Sequence, residues 1–119
     1  MTQIHKRFLF KLPDGTKVVE VIGPQVRRHH VDYVEGGHGY IYPWIPRDVI
    51  WAEKMLNRQD ECCNAVHKIR EQRKMKYHGW SYDRAHDHAN RVESRLRRAG
   101  PGACCRALRA LAKGGRLPR

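Results

Sequence analysis

Apolar residues recur with a period of two in the first half of the chain and close to 3.6 in the second. In Lys6 to Leu12, Phe8 and Phe10 alternate onto one face, which predicts a strand. Pro13-Asp14-Gly15-Thr16 follows as a turn, with proline presetting φ and glycine supplying a positive φ. Lys17 to Ile22 reads as a second strand, so the two make a hairpin that Gly23-Pro24 ends. His30 to Val34 suggests a third short strand. Gly36-Gly37-His38-Gly39 then breaks the chain, and the aromatic, proline-flanked Tyr40 to Pro46 is an edge strand or ordered loop. Asp48 to Ala52 reads as a last strand.

From about Asn57 to Lys76 the pattern is helical. Cys62, Ala65, Val66 and Ile69 share a stripe that stops at Arg73, with Asn57 or Asp60 as N-cap. His78-Gly79 marks the stop. Ser81 caps a second helix running to about Arg98, with Tyr82, Ala85, Ala89, Val92 and Leu96 at the spacing of a buried face. Gly100-Pro101-Gly102 ends it. Ala103 to Lys113 is at best a short, fraying basic helix. Strands first and helices after give an α+β fold. A small antiparallel sheet, the hairpin plus one or two further strands, carries two packed helices on one face. Residues 1–98 form this domain, and 99–119 a basic, partly flexible tail.

The 119 residues suit one domain. No apolar run approaches the roughly 20 residues of a membrane helix, so no membrane partner is expected. The N-terminus lacks the apolar stretch of a secretory signal, which points to the cytoplasm. The four cysteines form two adjacent pairs, Cys62-Cys63 and Cys104-Cys105, without CxxC spacing. In a reducing compartment they are expected to be free thiols.

Charge changes the picture in the second half. Residues 57–119 carry 16 Lys/Arg against 6 Asp/Glu, and no acidic residue follows Glu93. Such a field attracts polyanions. Arg95, Arg97, Arg98, Arg106, Arg109 and Lys113, interleaved with Leu96, Leu108, Leu111 and Leu117, are the candidate contacts to phosphates. No helix-turn-helix, RNP or zinc-finger pattern accompanies them, so binding to nucleic acid is expected to be nonspecific and salt-sensitive.

His67 and Glu71 lie four apart on the first long helix, so both can reach one metal ion. A further ligand must come from an adjacent element, and His86 and His88 flank the stripe of the next helix at similar angles. Cys63, four residues before His67, offers an alternative thiolate ligand. Trp44, Trp51 and Trp80 suit a binding surface or, for at least two of them, the space between sheet and helices.

Taken in order, LFKLPDGTKVVEV, DYVEGGHGYIYPWIPRDVIW, AVHKIREQRKM and GWSYDRAHDHANRVE resemble a group of small uncharacterised phage and bacterial proteins with a zincin-like metallopeptidase pattern. The resemblance spans roughly Arg7 to Glu93 and makes 1–98 a zincin-like domain. It implies His67, Glu71 and His86 as metal ligands, and selects His86 over His88. It also implies a general-base glutamate after the first histidine, where this chain has Lys68, and a second histidine where it has Arg70. Without that carboxylate, the rate of a general-base reaction falls by about 10²–10⁴. Lys68 and Arg70 also oppose a dication, so zinc is expected at low occupancy or not at all.

Three functions follow as expectations. The first is a non-catalytic, phage-type protein that binds a protein or nucleoprotein partner through a zincin-like scaffold, in the host cytoplasm if phage-encoded. In such a scaffold, the strand after Gly36-Gly37-His38-Gly39 would pair with an extended peptide. The second is a basic module or inhibitor for nucleic acid or a nucleoprotein complex, such as a phage anti-defence protein. The third, and weakest, is an active zinc metallohydrolase with His88 or His38 as an unusual base.

Overall fold

The computed structural model describes residues 4–114, and the expected tail residues 115–119, Leu117 among them, lie outside these. Strands β1 (Lys6–Lys11) and β2 (Lys17–Val21) form the expected antiparallel hairpin, with Lys6 opposite Val21 and Lys11 opposite Lys17. A register shift between Phe8 and Phe10 alters their expected common face. Leu9 and Phe10 pack on the core, whereas Phe8 is 59% exposed.

The chain then forms helix α1 (Gly23–His29), strand β3 (Gly37–His38) and strand β4 (Val49–Glu53). The sheet order is β1-β2-β4-β3. β4 runs parallel to β2, Lys17 opposite Val49, and antiparallel to β3, so the sheet is mixed rather than wholly antiparallel. A parallel pair needs a long crossover, and residues 22–48 provide it. Helix α1 occupies a stretch read only as a strand terminator. Pro24 stands in its first turn, where a missing N–H costs nothing. The strand expected at His30 to Val34 is turn and irregular chain, Tyr40 to Pro46 takes the loop form of its two expected alternatives, and the edge strand is His38's own.

Helix α2 (Arg58–His78) starts at Asn57, whose Oδ1 accepts from the Asp60 N–H at 3.2 Å, and ends at Gly79 with φ 65°. Helix α3 (Tyr82–Arg98) starts at Ser81, whose Oγ accepts from the Arg84 N–H at 3.3 Å. Both apolar stripes are buried as expected, except that Tyr82 is exposed. Val18, Ile50 and Ala52 meet α2, α3 and a further helix, α4 (Ala103–Ala112), on one face of the sheet. The opposite face, expected to be free of helices, packs Val21 and Trp51 against Val26 of α1, Tyr33 and Ile45. Trp44 packs there too, stacked on His30 at 3.6 Å.

The expectation of free thiols is overturned. Cys62 bonds Cys105 and Cys63 bonds Cys104, with Cα separations of 5.1 and 5.0 Å. Adjacent cysteines cannot easily bridge to each other, but two helices crossing at Cys62-Cys63 and Cys104-Cys105 let each pair bridge to the other. The bonds clip α4, expected to fray, onto α2. Disulfides persist in oxidising surroundings and are rare in a reducing cytosol, so the paired cysteines run against the compartment from which free thiols were expected.

A loop of this size, closed by a bond across 43 residues, lowers the entropy of the unfolded chain by the equivalent of about 4 kcal/mol. The second bond closes almost the same loop and adds little entropy of its own. Unreduced protein is therefore expected to show no thiol to an alkylating reagent. Removing one bridge by Cys62→Ala with Cys105→Ala is expected to lower stability in denaturant by about 1 kcal/mol, and removing both bridges by about 4 kcal/mol.

Candidate metal centre

Helices α2 and α3 pack through their apolar stripes, which leaves a polar flank on each side of the pair. On one side Asn64, His67, Lys68 and Glu71 of α2 face Tyr82, His86, Asn90 and Glu93 of α3 across a cleft of about 660 Å³. The α3 set recurs every three or four residues, so it forms one stripe along the helix.

Glu71 is at the base of the cleft and 1% exposed. Its Oε1 lies 2.8 Å from His38 Nε2, while Oε2 lies 3.2 Å from His67 Nε2 and 2.8 Å from His86 Nδ1. His38 Nδ1 accepts from the Tyr40 N–H at 3.2 Å, so its proton sits on Nε2 and is donated to Glu71. That fixes Oε1 and leaves Oε2 directed at the two other imidazoles.

His67 is fixed from behind in the same way. Its Nδ1 is 3.0 Å from Glu93 Oε1, and Glu93 Oε2 accepts from Arg97 Nε at 2.9 Å. Arg97 in turn donates to Asp60 at 2.8 Å. A carboxylate on Nδ1 keeps the proton there, so the proton given up to a metal is the one on Nε2, whose lone pair would then face the cleft. The His86 Nδ1 stands 3.2 Å from that nitrogen, and the Tyr82 hydroxyl is 3.3 Å from His86 Nδ1.

His67 Nε2, Glu71 Oε2 and His86 Nδ1 thus form a triangle with edges of 2.8–3.2 Å. Ligand atoms about 2.0–2.1 Å from a tetrahedral metal are about 3.3–3.4 Å apart. The group could hold a metal ion if its donor atoms moved apart by up to about half an ångström, and all three residues line the cleft. The three expected ligands are brought together as expected.

The other candidates part from them. His88 is on the opposite flank of α3, where its Nε2 accepts from Arg70 Nε at 2.8 Å. Burial, with Arg70, Lys74, Arg91 and Arg95 around it, pushes its pKa down to about 4. Cys63 is consumed by its disulfide and offers no thiolate. Lys68 lines the cleft, half-buried, with its stem against Gly36. Arg97 is held in the ion-pair chain behind His67, whereas Arg95, Arg98, Arg106, Arg109 and Lys113 are exposed on α3 and beyond.

The supporting residues His38, Glu93 and Tyr82 carry a signal in hindsight. Tyr82 and Glu93 are one turn before and two turns after His86 on its own face. His38 has none except the glycines around it. Gly36 has φ 72°, and a Cβ there would lie 2.6 Å from Asn64 Oδ1 and 2.8 Å from the Trp51 carbonyl oxygen. Only glycine lets β3 approach α2 closely enough for His38 to reach Glu71.

No family model, curated protein or solved structure matches the chain.

Electrostatics set the pH dependence. Burial works to raise the Glu71 pKa, but hydrogen bonds from His38 and His67, the Lys68 charge and the His86 contact outweigh it, so it falls well below the carboxylate range. Burial works to lower His67, but Glu71 and Glu93 prevail and raise it above 6.5. In the metal-free protein the His67 contribution to stability is fully present below pH 6.5, and is lost as pH rises through the higher folded value. Metal must displace that proton. Calorimetric titration with Zn²⁺ is expected to show proton release and an affinity that falls as pH drops from about 8 to 6. Glu93→Gln is expected to weaken metal binding about 10–100-fold.

Proposed function

We propose that the protein is a mononuclear zinc protein on a zincin-like scaffold that binds a partner through the metal cleft and does not hydrolyse it. His67, Glu71 and His86 hold the ion, and the open corner takes an acidic group of the partner, a side-chain or C-terminal carboxylate. The observation that carries the reading is the three-atom triangle beside Lys68. Two imidazoles and one carboxylate suit zinc better than the harder, all-oxygen cations.

Bound zinc would act as a Lewis acid toward an oxygen in the open position. Hydrolysis would also need a carboxylate poised to take a proton from water. Glu93 is occupied by His67 and Arg97, Asp60 by Arg97, and Glu71 by three imidazoles. At the position after the first ligand stands an ammonium. Lys68 adds positive charge to the cleft, which disfavours metal uptake in the empty site and favours an anion in the filled one. Tyr82 and Asn90 line the same cleft with neutral hydrogen-bonding groups.

Protein purified without added metal, then titrated with Zn²⁺, is expected to bind one equivalent, and Glu71→Ala to bind none. Lys68→Glu is expected to bind zinc about tenfold more tightly, the effect of about 1.4 kcal/mol of relieved repulsion. Peptide libraries are expected to remain uncut by the native protein. Chelator-sensitive cleavage that is lost in Glu35→Gln, the remaining carboxylate of the cleft, would overturn the non-hydrolytic reading.

A further inference from the structure

The flank of the α2–α3 pair opposite the cleft is lined with cations. Arg70 and Lys74 come from α2, and Arg84, Arg91 and Arg95 from α3, gathered around His88 and Trp80. Lys74 Nζ is 4.9 Å and Arg84 Cζ 3.9 Å from the centre of the Trp80 ring, and that ring meets His88 edge-on at 5.5 Å. Among the described residues, none of the five cations is within ion-pair distance of a carboxylate.

This arrangement differs from a solvated surface in three respects. Four basic side chains elsewhere in the fold pair with acids: Arg7 with Glu20, Arg27 with Glu53, Lys76 with Asp14 and Arg97 with Asp60. Here like charges are held together, at a cost in stability that only an anionic partner would relieve. Secondly, three of the five cations are positioned. Trp80 lies against Arg84 and Lys74, and His88 accepts from Arg70, so less side-chain entropy is lost on binding. Thirdly, they form a row. Arg84, Arg91 and Arg95 lie on one face of α3 and span about 16 Å of its axis. A DNA strand carries one phosphate per about 3.4 Å of axis, so the row covers about five.

We propose that this face binds the phosphodiester backbone of duplex nucleic acid, without reading sequence. Arginine guanidinium groups fit phosphate oxygens in pairs, and their number sets the affinity. A membrane is disfavoured because insertion needs exposed apolar side chains, and the one large ring here is held between Lys74 and Arg84. The face is separate from the cleft, so binding is independent of zinc. Of the cations first picked out by composition, Arg95 belongs to this face and Arg98 lines one pocket with Arg91 and Arg95, whereas Arg97 lines the metal cleft.

The test is fluorescence anisotropy with a labelled DNA duplex of about 20 bp between about 50 and 200 mM NaCl. The native protein is expected to bind at low salt, with log K falling against log salt at a slope of about −3 to −5. The triple variant Arg84→Gln, Arg91→Gln, Arg95→Gln is expected to lose at least about tenfold in affinity, and its slope to shrink by about 2–3. The triple variant Arg106→Gln, Arg109→Gln, Lys113→Gln removes the same charge from α4 and beyond and is expected to bind within about threefold of native. A chelator is expected to leave all three unchanged, and melting temperatures and zinc uptake serve as checks on folding and on the metal cleft. Equal losses in both triple variants, no binding at low salt, or binding only to phosphatidylserine vesicles would each overturn the proposal.

Discussion

A carboxylate taken out of water must be met by donors or it will not stay ionised, and Glu71 meets this constraint with three imidazoles. They come from separate parts of the chain: His38 from β3, His67 from α2 itself and His86 from α3. Breaking a buried charge pair by removing one partner typically costs about 3–5 kcal/mol. The approach of the sheet edge to α2, and the rotation of α3 about its own axis, are therefore tied to the same carboxylate. Gly36 is the steric condition for the first and the stripe Ala85, Ala89, Val92 and Leu96 for the second.

The packed apolar stripes separate two polar flanks of the helix pair, and this carboxylate belongs to one of them. On its side, two of the three imidazoles are oriented by an atom behind them, His38 by a backbone N–H and His67 by Glu93, so their other nitrogens point inward before any ligand arrives. On the other side the side chains are basic and, among the described residues, have no carboxylate within ion-pair distance. One pair of helices thus presents a donor set able to hold a cation and, behind it, a face suited to anions. The two disulfides fix α4 at the start of α2, one turn before His67, and stiffen the helix on which both flanks depend.

Much of this was legible along the chain. The hairpin, the last strand and both long helices follow from periodicity and end signals, because strands and helices expose opposite faces at fixed intervals. The spacing of His67 and Glu71 gave a shared face. Other features were not legible for identifiable reasons. α1 has seven residues, too few to show a period, and only its proline marks it. The parallel pairing of β2 with β4 depends on a crossover whose path is not a local property. The choice of His86 over His88 is a choice between two flanks of one stripe, and is made by which way α3 faces α2. Residues as remote as His38 and Glu71, 33 positions apart, leave no local trace of their contact.

The sequence by itself determined the α+β class, the long helices with their caps, the candidate ligands and the excess of positive charge, since each follows from residue type and local spacing. Only the tertiary structure decided which ligands converge, that the cysteines are paired, and which cations are gathered side by side. These are distances between elements far apart in the chain, and they are set by how the apolar faces pack rather than by any period within a segment.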